Sequence, residues 1–463
     1  MIALWKYHKI PFLFFIASCI VYLWFAYHIT RIETTQLLLL YIALFVFAYK
    51  IIKTSGFNTS TSLSTGFRLL VIFSIAFRVL LLFSIPNLSQ DFYRFIWDGR
   101  LILEGFNPYL YTPDSFINSG KFPVDQAQEL YNGMGSLSSS HFSNYPPLNQ
   151  LCFVIANLFP GQSILSSVIG LRLVIIAADI GTLYFGKKLL ERLKLPSNRI
   201  YWYILNPFII IELTGNLHFE GVMIFFIIWA LYLLHARKWK WAAVVLACSI
   251  SVKLIPLMLL PLFFGWFNSN KLNGQTERLG LLKLIAFYSI VIATTLLLFL
   301  PFFSMEFVTN YSKTVGLWFG NFEFNASIYY VARAIGYALT GYNEIAIIGK
   351  VLPIISVAII LGFSFLKQNN SLPRLAASML LALTFYLFLS TTVHPWYIAT
   401  LVILSVFTNY KFPLVWSLVI ALSYLAYSNS TYSENLWIIA LEYAIVLSFF
   451  TWEIFIKKRP LVS

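Results

Sequence analysis

Residues 344–366 read EIAIIGKVLPIISVAIILGFSFL, with one glutamate and one lysine in 23 positions. An α-helix rises ~1.5 Å per residue, so this run spans roughly the 30 Å apolar thickness of a bilayer. Comparable runs lie near 11–29, 35–53, 68–86, 165–186, 281–301, 375–391 and 436–455, with shorter ones near 200–216, 218–234, 240–252, 255–266, 396–409 and 413–428. A membrane barrel would alternate apolar and polar residues instead of repeating solid apolar runs. The fold class expected is therefore all-α: a polytopic integral membrane protein with about 11–14 transmembrane helices.

Composition agrees. Hydrophobic residues make up 59% of the 463, charged residues 11%, and the mean hydropathy is +0.77. Aromatics reach 18%, enough Trp and Tyr for interfacial belts. Cys19, Cys152 and Cys248 are scattered and form no CxxC pair, so neither a disulfide framework nor a metal knuckle is expected. Lys6 and Lys9 precede an apolar stretch, Ile10–Tyr27, that lacks a small-residue cleavage site; it reads as a retained first helix.

The net charge of +14 would suit a nucleic-acid partner, but its placement does not. With a cytoplasmic N-terminus, 22 of the 32 Lys and Arg fall in cytoplasmic segments, among them Lys187, Lys188, Arg192, Lys238, Lys271, Arg278, Lys458 and Arg459. This is the positive-inside pattern, and it places both termini in the cytoplasm. Residues 87–164 then form a long, partly helical first outer loop, joined outside by loops near 302–343, 392–395 and 429–435. Four of the five Asp in the chain are in that first loop. The expected division is one membrane domain: two extra N-terminal helices over 1–66, a catalytic module over 67–266 and variable C-terminal helices over 267–463.

Within the first outer loop, QDFYRFIWDGRLILEGFNPY (90–109) gathers Asp91, Arg94, Asp98, Arg100 and Glu104. Ser89 as N-cap and Gly105 as stop delimit a short helix that places Asp91, Arg94 and Asp98 on one face. Two readings are open: an ion-pair network that solubilises a helix lying on the outer surface, or charge kept for chemistry, since charge at membrane depth is expensive. Three further clusters offer the same choice. His218 and Glu220 in NPFIIIELTGNLHFEG (206–221) form either a polar turn or part of an outer cavity. Lys253 in SISVKLIPLMLLPLFF (249–264) sits near the tip of a proline-broken hairpin, as a snorkelling cation or as a fixed charge for a phosphate. His394 in STTVHPWYIATL (390–401) occupies another outer turn. Arg78 and Arg172 lie inside expected helices, with Asp179 a candidate partner. On this topology Asp91, Asp98, His218, Glu220, Lys253 and His394 converge on one side, which suits acid–base chemistry on a phosphate-bearing substrate.

The ordered set DFYRFIWDGRLILEGFNPY, NYPPL (144–148), NPFIIIELTGNLHFEG, KLIPLMLLP and HPWY resembles bacterial integral-membrane glycosyltransferases of the GT-C fold, above all the polyprenyl-phosphate-mannose-dependent mannosyltransferases. The resemblance covers residues 68–410. It implies a membrane enzyme of the bacterial inner membrane, active on the periplasmic face. Such an enzyme moves a sugar, mannose by likeness, from a polyprenyl phosphate to a lipid-linked or envelope glycan. It further implies inversion in a single displacement without metal or other cofactor, and membrane lipids but no nucleic acid as surroundings. By position Asp91 is the base. Arg94, Asp98, Arg100, Tyr109, Tyr145, His218, Glu220, Lys253 and His394 are the candidates for holding sugar or phosphate. Two departures stand out: two helices precede the one leading into the Asp loop, and GNLHFEG stands where many relatives carry an Asp near the position of Glu220. A secondary transporter or flippase of the cell envelope is the competing reading, though no inverted repeat is visible; a noncatalytic assembly factor is a third.

Overall fold

The computed structural model describes residues 2–55, 62–268, 279–320, 322–428 and 433–457. Lys271, Arg278, Lys458 and Arg459, counted in the charge pattern, lie outside them, as do the side chain of Lys6 and residues 429–432 of an expected outer loop. Among the described residues the chain is helical, with one isolated β-bridge, Phe324 to Thr392. Among the described residues seven helices are long and apolar enough to cross a membrane: Lys9–Tyr27, Thr34–Thr54, Ile164–Arg192, Leu281–Phe302, Ile345–Leu366, Leu372–Leu389 and Leu436–Ile456. Four shorter apolar helices, Trp239–Val252, Ile255–Asn268, Pro395–Val406 and Phe412–Ser428, complete a polytopic membrane architecture.

Two expected helices are broken for backbone reasons. The run 200–216 is divided at Pro207, which Asn206 caps by accepting from Phe208 N at 3.0 Å, and it ends in a π-turn, Ile210–Gly215. The chain then bends by 115° into Glu220–His235. Arg172, wholly buried, donates to the carbonyls of Thr214, Gly215, Leu82 and Ser84 and so satisfies the exposed ends of two helices. The run 255–266 begins as a 3₁₀ helix, Ile255–Leu262, because Pro256 and Pro261 cannot donate to an α ladder. In the opposite sense, the expected outer loop 302–343 contains two helices, Met305–Gly320 and Ile328–Thr340. The second is amphipathic: Val331, Ile335 and Leu339 are exposed on one stripe, while Tyr329 is buried and Arg333 pairs with Glu323 on the other.

The interior is held by close packing and by a few satisfied charges. Arg78 donates through Nε to Asp179 Oδ2 at 2.6 Å and through Nη1 to the carbonyls of Ser74 and Ile204, resolving the pairing expected for Asp179. Gly170 lets Ile164–Arg192 cross the helix Pro147–Asn157 so tightly that a Cβ would fall 2.2 Å from Ala156 O. The N-terminal helices are integrated into this body. Phe15 stacks on Phe73 at 4.0 Å, and Tyr41 donates to Ser417 O at 2.7 Å.

Candidate active site

The Asp91–Leu103 helix is not the surface helix expected. Nine of its thirteen residues are buried, and it packs between Ala127–Ser139 and Pro147–Asn157. Gln90, not Ser89, occupies the cap position, without a side-chain cap; Gly105, at φ +82°, ends the helix as expected. This seating leaves Asp91, in the first turn, partly exposed to a cavity of about 220 Å³. Arg94, Asn144, Tyr145, Lys253, His394 and Tyr397 also line that cavity.

Burial, partly opposed by the Lys253 ammonium and reinforced by the Glu220 carboxylate, pushes the Asp91 carboxyl up from 3.8 to about 6. The group is therefore ionised at neutral pH and still basic enough to take a proton.

Lys253 ends the helix Trp239–Val252 in an extended conformation, just before the 3₁₀ turn. Its ammonium is 3.1 Å from Glu220 Oε1 and 5.3 Å above the Tyr145 ring. A second cavity, of about 190 Å³, shares Asn144, Tyr145, Lys253 and Tyr397 with the first and adds Glu220. It extends to Gly349, Pro353 and Ser356, small residues on one stripe of Ile345–Leu366. The other faces of that helix expose Ile347, Ile354 and Val357. Lys253 thus stands where a cavity lined by Asp91 meets one that reaches a membrane-spanning helix.

The remaining candidates divide. His394 lines the first cavity, stacked between Trp396 at 4.6 Å and Phe324 at 5.3 Å; burial and Lys253 lower its pKa from 6.5 to about 3, leaving a neutral ring. His218 lies behind Trp396, stacked on it at 3.6 Å, and lines neither cavity. Arg94 reaches the first cavity, but its guanidinium donates to Asp98 Oδ1 at 2.7 Å and to the carbonyls of Ser138 and His141. Asp98 is fully buried and also accepts from Ser143 and Gln150, so the pair braces the loop that carries Asn144 and Tyr145. Arg100 lines neither cavity; it donates to the carbonyls of Asp125 and Gln162 and to Ser167 Oγ. Tyr109 is buried outside both cavities and donates to Tyr145 O at 2.6 Å. The structure thus gathers Asp91, Arg94, Tyr145, Glu220, Lys253 and His394 about the joined cavities, puts Asp98, Tyr109 and His218 behind their walls, and leaves Arg100 bracing residues that line neither.

A family model described as alpha-(1->6)-mannopyranosyltransferase, N-terminal domain, matches residues 15–269, more than half of the sequence. The chain belongs to this family. Over 190 residues it is 22% identical to alpha-(1->6)-mannopyranosyltransferase A of Corynebacterium glutamicum, a match taking in 41% of this chain and 36% of that relative. The family match includes the first N-terminal helix from residue 15 and the whole of the second, together with Asp91, Tyr145, Glu220 and Lys253, whereas His394 falls beyond it.

Sequence reasoning missed part of this candidate site. Thr314 and Val315, adjacent on Met305–Gly320, line one cavity each, and the same helix is tied down by Asn310 donating to Tyr109 O and Tyr311 donating to Asn144 O. Asn310 and Tyr311, within the polar run Thr309–Thr314 of the expected outer loop, were the available signal. The loop bearing His394 is positioned by the strand-like bridge: Phe324 N donates to Thr391 O and Val393 N to Phe324 O. No local pattern announces that pairing.

Proposed function

We propose that this chain transfers mannose from a polyprenyl-phosphate donor to a hydroxyl of a lipid-linked or envelope glycan, at the extracytoplasmic face of a bacterial inner membrane. The observation that carries the reading is the junction at Lys253: a cavity lined by Asp91 meets a second one that reaches the lipid-facing helix Ile345–Leu366. Donor enters from the bilayer along Gly349, Pro353 and Ser356, with its phosphate at Lys253. Acceptor enters the cavity of Asp91.

The ionised Asp91 carboxylate takes the proton of the acceptor hydroxyl. The acceptor oxygen forms a bond to the anomeric carbon as the bond from that carbon to the phosphate oxygen breaks, and the phosphate leaves with the electron pair. A fixed ammonium beside it stabilises the charge that grows there, which favours the transition state over the ground state. The neutral His394 ring is suited to orient hydroxyl groups. A single displacement inverts the anomeric configuration. The positive-inside charge pattern supports the outward placement.

The test is transfer of labelled mannose from polyprenyl-phosphate mannose to a glycan acceptor by purified protein in lipid nanodiscs. Wild type is expected to turn over, and Asp91→Asn to lose a factor of about 10²–10⁴ while keeping its unfolding temperature. Near-normal turnover by Asp91→Asn refutes the assignment of the base.

A further inference from the structure

Glu220 is fully buried, and among the described residues neither of its carboxylate oxygens has a hydrogen-bond partner. Lys253 Nζ lies at 3.1 Å from Oε1, within ion-pair distance but without the directionality of a hydrogen bond. Glu220 opens the helix Glu220–His235, yet the amides of that first turn are already engaged: Gly221 N donates to His218 O, and Val222 N and Met223 N to Phe219 O. Buried polar groups are almost always paired, so a carboxylate left with open acceptor positions in a cavity wall points to a ligand that donates. The cavity it lines also carries the hydroxyls of Thr391 and Tyr397, while those of Ser390 and Thr392 donate to Thr392 O and Phe322 O and keep only acceptor positions for a polyhydroxylated occupant.

Resting on the reading above, we propose that Glu220 is a specificity-determining residue that accepts a hydrogen bond from the 2-hydroxyl of the donor hexose. Lys253, paired with the carboxylate at 3.1 Å and assigned to the phosphate, screens the two anions from each other. The sugar joins that phosphate through its anomeric carbon, and the hydroxyl next to that carbon is the 2-hydroxyl. Hydrogen bonds to this hydroxyl strengthen as the ring gains oxocarbenium character, so an acceptor here acts on the transition state as well as on binding. A site built to bond a substrate hydroxyl rejects the analogue lacking it by about 10⁴–10⁵, because its own polar group is then stranded.

The experiment compares kcat/KM for the mannosyl and the 2-deoxymannosyl polyprenyl phosphates in wild type, Glu220→Ala and Glu220→Gln, each checked for folding by thermal unfolding in nanodiscs. The intrinsic reactivity of the two donors cancels when each variant's preference is divided by that of wild type. Glu220→Ala is expected to lower the preference for the hydroxylated donor at least about a hundredfold, and Glu220→Gln, a neutral acceptor of similar volume, about tenfold. Should one variant fail to fold, the other carries the comparison. A preference unchanged from wild type, with both donors slowed alike, overturns the proposal and leaves Glu220 acting only through Lys253. Wild type inactive with polyprenyl-phosphate mannose overturns the proposed function, and this proposal with it.

Discussion

The pH dependence of transfer should report the Asp91 carboxyl directly. The base must be ionised, and its pKa is raised from 3.8 to about 6, so activity falls as pH drops through that value. With a pKa of about 6 the ionised fraction at pH 5 is about a tenth; with the ordinary 3.8 it would exceed about nine-tenths. Hence kcat/KM at pH 5 should be about a tenth of its value at pH 8, falling about tenfold per unit below that. The two neighbouring charges supply controls of opposite sign. Lys253 lowers the Asp91 pKa, so Lys253→Met should move the acidic limb to higher pH; Glu220 raises it, so Glu220→Gln should move the limb down. The assay is initial-rate transfer from lipid-linked mannose at sub-saturating donor across pH 4.5–8.5, with folding checked at each end. A profile flat to pH 4.5 would refute the buried carboxylate as base, and a limb that shifts the same way in both variants would refute the placement of the two charges around it.

Three further outcomes are expected. Asp179→Ala strands the buried Arg78 guanidinium and should cost about 3–5 kcal/mol in unfolding experiments, whereas Arg78→Met/Asp179→Leu should recover most of it. Gly170→Ala puts a Cβ 2.2 Å from Ala156 O, so two packed helices must separate, at a loss of about 1–3 kcal/mol and a lower unfolding temperature. Gly349→Trp fills the membrane-side cavity without touching the one that holds Asp91; KM for the lipid-linked donor should rise at least about tenfold, or about 1.4 kcal/mol, with KM for the acceptor unchanged.

Much of this was legible in the chain itself, for physical reasons. Long apolar runs have few alternatives to spanning helices, so the class and most spans could be read directly. The cost of charge at membrane depth singled out Asp91, Glu220 and Lys253, which the structure brings to the joined cavities. That same argument does not separate a charge facing a substrate from one spent on its neighbours. Arg94 with Asp98, and Arg100 with backbone carbonyls, are buried braces with the same residue types and spacing as a binding cluster. Periodicity also fails where a second pattern overrides it: prolines break 255–266, and the helix Ile328–Thr340 escapes a search for solid apolar runs because only the stripe of Val331, Ile335 and Leu339 is apolar while tyrosines and Arg333 occupy its other faces. The pairing of Phe324 with Thr391 and Val393 joins segments about 70 residues apart and leaves no trace in local sequence.

The most direct measurement is a cryo-EM map of the protein in nanodiscs with a non-transferable polyprenyl-phosphate sugar. The account predicts the phosphate within hydrogen-bond reach of Lys253, the sugar between Glu220 and Asp91, and the isoprenoid chain against Gly349 and Pro353. Density for the phosphate away from Lys253, or for the chain on another face of the helix bundle, would contradict it.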